Sequence, residues 1–136
     1  MNWLLILKLS LFGLVMAVAT VFVIPASVEP FCWLAIFIVC AVVIARQRGG
    51  RPYLHGQMLG IVNSVWITAA HVIFFDRYVA RHQAELQAFA SAPLPPRAMM
   101  AIVGPIIGVI SGVVIGLLAI LAARILGRSV TRSAAP

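Results

Sequence analysis

The chain is short of charge, and of negative charge most of all. Among 136 residues only three are acidic, Glu29, Asp76 and Glu85, and charged residues make up 10% of the whole. A soluble domain of this size needs a charged surface, and this chain cannot make one. Lysine is nearly absent too: Lys8 stands alone beside nine arginines. That bias fits a bacterium of high GC content. Cysteine is limited to Cys32 and Cys40. On one helix they lie about 12 Å apart, too far to bridge each other. There is no Cys-x-x-Cys pair for thiol–disulfide exchange and no cysteine cluster for a metal.

Apolar residues dominate instead, at 63% of the chain, with a mean hydropathy of +1.11. A bilayer core of about 30 Å calls for about 20 apolar residues per helix. Four segments approach that length, about 3–24, 28–45, 54–75 and 99–126. None alternates as a barrel strand does. The expectation is an all-α, polytopic membrane protein with four transmembrane helices in a compact bundle, forming a single domain. Residues 127–136 form a short basic tail. The first segment has no early basic cluster, and "VIPAS" is a poor cleavage site, so it reads as a retained helix.

The basic residues set an orientation. Lys8, Arg46, Arg48, Arg51, Arg124, Arg128 and Arg132 fall on one side of the four spans. Arg77, Arg81 and Arg97 fall on the other. Seven against three places both termini in the cytoplasm of a bacterial inner membrane. The net charge of +7 is dispersed at helix ends, where it meets lipid headgroups. It does not indicate nucleic acid. Lys8 lies close enough to the helix start to snorkel.

The third segment is unusually polar for a membrane helix. At 100° per residue Gln57, Ser64, Thr68 and His71 share one face with Gly60, and Asn63 borders it. In lipid such a face turns towards protein or a water-filled cavity. Ser64 and Thr68 can bond back to their own helix carbonyls, and Asn63 can reach a neighbouring helix. His71 is the readily titratable group deepest in the span, and so the functional candidate. Beyond the membrane the same face continues through Tyr78, His82, Leu86 and Phe89. The periodicity predicts one helix from about 53 to 90, with these four as an outer docking stripe. The other arrangement is a bend near Asp76, with 77–90 lying in the interface.

The fourth segment carries the most specific pattern, "GPIIGVISGVVIG". Gly104, Gly108, Gly112 and Gly116 recur every four residues, with Ser111 beside them. Such a ridge admits a second backbone at close range. The partner is another copy, another membrane protein, or a helix of the same bundle. "SAPLPPR" before it reads as a stiff extended linker.

Nothing points to catalysis. There is no phosphate loop and no carboxylate pair, and Ser64, His71 and Asp76 on one helix cannot form a triad. On one straight helix the histidines at 55, 71 and 82 stand about 24 and 16 Å apart. No metal site and no cofactor is expected. Two functional readings remain. The first is a non-enzymatic membrane protein that self-assembles, or partners another membrane protein, through the glycine ridge. The second is a small transporter or channel with its path along the polar face of the third helix.

Overall fold

The computed structural model describes residues 1–47 and 50–133, with side chains as far as Gly127. Six helices follow in order: α1 (Trp3–Phe22), α2 (Glu29–Ala45), α3 (Pro52–Ile73), α4 (Phe75–Val79), α5 (Gln83–Ala88) and α6 (Pro96–Ser133). The described residues contain no strand. Three helices, Trp3–Phe22, Pro52–Ile73 and the stretch Pro96–Gly127, are long and apolar enough to cross a membrane. The apolar helix Glu29–Ala45 is shorter, at 17 residues.

Local chemistry explains the ends. The Asn2 side chain caps α1 by accepting from Leu5 N–H at 3.1 Å, satisfying an amide with no partner inside the helix. Pro25 follows α1 and disfavours helix at Ile24. Pro30 and Pro52 sit in the first turns of α2 and α3, where a missing N–H costs nothing. Gly50 and Arg51 both have positive φ and turn the chain into α3. Arg48 lies outside the described residues. α6 continues to Ser133, so the helix extends into the stretch 127–136. The side chains of Arg128 and Arg132 also lie outside the described residues.

Helices α3 and α6 form a central antiparallel pair. α1 packs on α3, and α2 packs chiefly on α6. All four meet near the start of α1, in a core of Ile6, Leu9, Cys40, Ala41, Ile44, Leu59, Ile115 and Ala119. A smaller core at the opposite end joins Val21, Tyr78 and Met100. The buried residues of α2 all lie in its C-terminal half, so its first half stands away from the pair. Large apolar side chains elsewhere face outward, among them Leu7, Val15, Ile106, Ile110 and Leu121. A surface this apolar is suited to lipid and not to water.

The third helix does not run to residue 90. It ends at Ile73, with Phe74 at φ −101° and ψ 34°. α4 and α5 then fold back over the bundle end. The break brings the rings of His71 and Tyr78 to 3.8 Å, stacked. In a straight helix residues seven apart are separated by about 10.5 Å of rise. Burial of Tyr78 and His82, at 2% and 1% exposure, offsets the interrupted helix. The proline-rich connection is a run of turns and bends, not an extended rod.

Candidate functional site

The small face of α3 and the glycine ridge of α6 pack against each other. A Cβ placed on Gly56 would strike the backbone of Gly116, and one on Gly60 would strike the backbone of Gly112. A Cβ on Gly108 would strike Ser64, and one on Gly104 would strike Thr68. Each pairing advances four residues on α3 while it retreats four on α6, as two antiparallel helices require. The ridge is therefore filled by α3 of the same chain. The sequence showed the ridge; its partner depends on Gly56 and Gly60, whose spacing of four is the matching signal.

The polar residues of α3 separate into different roles. Gln57 Nε2 donates to the Val109 carbonyl of α6 at 3.2 Å. Ser64 donates back to the Ile61 carbonyl at 2.7 Å. Asn63 is buried against Gly13 of α1, and both polar atoms of its carboxamide lack a hydrogen-bond partner. The Thr68 hydroxyl is likewise buried without one. His71 Nε2 lies 3.1 Å from the Thr20 hydroxyl of α1. Thr20 also has the Met16 and Ala17 carbonyls within 3.0 and 3.2 Å.

Where the first half of α2 stands off, a cleft of about 540 Å³ opens against α3 and α6. Its walls are largely apolar, with Leu34 and Phe37 facing Ile107 and Val114. Asn63, Ser64, Thr68, His71 and Ser111 supply polar positions along it. One end reaches Glu29, Tyr78 and Glu85. The other stops at Ile115, which is 1% exposed and belongs to the four-helix core. A volume of this size suits a ligand of drug or single-chain lipid dimensions.

The polar end is a connected cluster. Three rings stack in series: His71 on Tyr78, and Tyr78 on His82 at 4.2 Å. Tyr78 donates its hydroxyl to Glu85 Oε2 at 2.6 Å. Burial, and then that hydrogen bond, push the Tyr78 phenol above its ordinary value, so it stays a donor. Trp33 Nε1 donates to Glu29 Oε1 at 3.1 Å. His82 Nδ1 lies 3.1 Å from the Tyr78 carbonyl, and its Nε2 lies 3.0 Å from Glu29 Oε2.

The expected docking stripe is thus turned inward. Tyr78 and His82 are core residues, while Leu86 and Phe89 are half-buried and Phe89 lines the cleft. Sequence reasoning missed Glu29, Trp33 and Glu85. Their only sequence signal is that two of three scarce carboxylates flank apolar segments on the same side. His55, in the first turn of α3, is buried, at 6% exposure.

The chain matches no family model, no curated protein and no solved structure. Its function is read from its own geometry.

Proposed function

We propose that this is a non-enzymatic integral membrane protein that binds an amphiphile in the α2–α3–α6 cleft. The ligand has one apolar tail and an uncharged, oxygen-bearing head. The observation that carries this reading is the cleft itself, about 540 Å³, with apolar walls and the polar side chains of Ser64, His71 and Ser111 placed along it. A few polar groups in an apolar cleft fix the orientation of an amphiphile, while the apolar walls take its tail. The head sits by Thr68 and His71, and the tail lies between Leu34, Phe37 and Ile107.

The setting is a bacterial inner membrane with four spans and both termini in the cytoplasm. α2 is about 26 Å long, at the lower limit for a span. The described arginines Arg46, Arg51 and Arg124 lie at the N-terminal end of the bundle, which supports that orientation. Transport along the polar face would require the Leu59–Ile115 layer to open. Self-association would use the outer faces of α1 and α6, since α3 occupies the ridge.

The test uses Trp33 as reporter, with Trp3→Phe and Trp66→Phe in the background. A monoacylglycerol brominated in its chain is titrated into the protein in nanodiscs. Saturable quenching is expected. Ser111→Phe, which fills the cleft, abolishes it. Unsaturable quenching that is unchanged by Ser111→Phe means bulk lipid contact alone and overturns the reading. A decyl benzoquinone in a parallel titration separates a lipid source from a quinone source.

A further inference from the structure

The ring nitrogens of His82 pose a problem of proton placement. Nδ1 faces the Tyr78 carbonyl at 3.1 Å. A carbonyl only accepts, so Nδ1 carries a proton. In the neutral ring Nε2 is then a bare lone pair, and it points at a carboxylate oxygen, Glu29 Oε2, 3.0 Å away. Two acceptors at that distance repel unless a cation lies between them. The contrast with His55 is direct. His55 Nδ1 also faces the carbonyl four residues back, Arg51 O at 3.0 Å. Its Nε2 meets a donor, the Asn2 amide, at 2.9 Å. His55 is complete as a neutral ring, and His82 is not.

The cation can be a second proton or a metal, and the surroundings favour a metal. One donor atom each from Glu29, His82 and Glu85 lies within 4.8 Å of the others. Two ligands on one ion, at about 2.1 Å each and 90–109° apart, are separated by roughly 3.0–3.4 Å. The Nε2–Oε2 distance fits that spacing. Glu85 is exposed, so its side chain can close the remaining gap.

The outer hydrogen bonds are those a metal site uses to orient its ligands. His82 Nδ1 is held by a carbonyl, which leaves Nε2 to ligate. Trp33 holds Glu29 Oε1, leaving Oε2 directed at His82. Tyr78 holds Glu85 Oε2. Each of the three ligands thus has its own orienting partner.

We propose that Glu29, His82 and Glu85 form a binding site for a divalent transition-metal ion of the zinc class. One imidazole with two carboxylates favours such an ion over magnesium or calcium, which take oxygen donors. The ion ties the start of α2 to α5 across the polar end of the cleft. The site stands independently of amphiphile binding, and its test uses a different probe.

The experiment takes the full chain in detergent, stripped with a chelator and dialysed. Zn²⁺ is titrated in competition with a chromophoric indicator. One ion per chain is expected. Glu85→Gln, at an exposed position, weakens binding at least ten-fold with an unchanged circular dichroism spectrum and melting temperature. Tyr78→Phe, which removes only an orienting partner, weakens it about ten- to hundred-fold. Millimolar Mg²⁺ does not displace the ion. Cobalt(II) in place of zinc gives visible absorption bands in the wild type that are lost in His82→Asn. Zinc affinity equal in the wild type and in the Glu29→Gln/Glu85→Gln double variant overturns the proposal. His82 and Glu29 are then an ion pair sharing a proton.

Discussion

Gly60 of α3 and Gly112 of α6 meet backbone to backbone, with no room for a side chain between them. Gly60→Ala therefore lowers stability, because the atoms it would strike are main chain and cannot rotate away. Overpacking of this kind costs about 1–3 kcal/mol. Thermal unfolding in one detergent, alongside Gly127→Ala, is the measurement. A Cβ at Gly127 meets nothing within 4 Å, and alanine there adds up to about 1 kcal/mol of helix propensity. Equal melting temperatures for the Gly60 variant and the wild type would show that the two helices are not in contact here.

Asn63 tests the reverse case, a polar group whose removal helps. Its carboxamide is buried at 3% exposure without a partner. Leucine has the same branching and no polar atoms. Asn63→Leu is expected to raise stability by about 1 kcal/mol in ligand-free protein. Chemical unfolding of the two forms measures this. A loss of that size instead would mean the carboxamide has a partner in the membrane.

The Thr20–His71 contact joins α1 to α3 near the end of the bundle. Thr20→Val and His71→Phe, singly and together, define a cycle. Phenylalanine keeps the stack on Tyr78 and removes only the polar contact. The coupling expected is about 0.6 kcal/mol, the average for hydrogen bonds between membrane helices. A coupling indistinguishable from zero refutes the bond.

His55 holds the beginning of the chain by accepting from the Asn2 amide. His55→Phe leaves that amide unmet and frays the first turn of α1. Hydrogen exchange at Asn2 and Leu5 should accelerate several-fold, with a loss of about 1 kcal/mol overall. Unchanged exchange would mean Asn2 is protected by another group.

Several of these features are legible in the sequence alone. Gly104, Gly108, Gly112 and Gly116 announce a close helix contact by spacing alone, and Gln57, Ser64, Thr68 and His71 announce an inward face. Ser64 bonds back to its own helix, as its residue type allows. Periodicity allows either a continuous helix or a bend near Asp76, and the structure has the break, at Phe74. The stripe Tyr78, His82, Leu86, Phe89 has helical period, and the break is caused by ring stacking and burial that periodicity does not register.

The sequence by itself determined an all-helical chain with helices apolar enough to cross a membrane, because apolar length and steps of four are local properties of a helix. Tertiary structure decided which helix fills the ridge, where α2 stands away to leave a cleft, and that His82 meets Glu29, 53 residues earlier. Those outcomes depend on packing between segments distant in sequence, where backbone approach and ring contact select one arrangement from several that the same pattern permits.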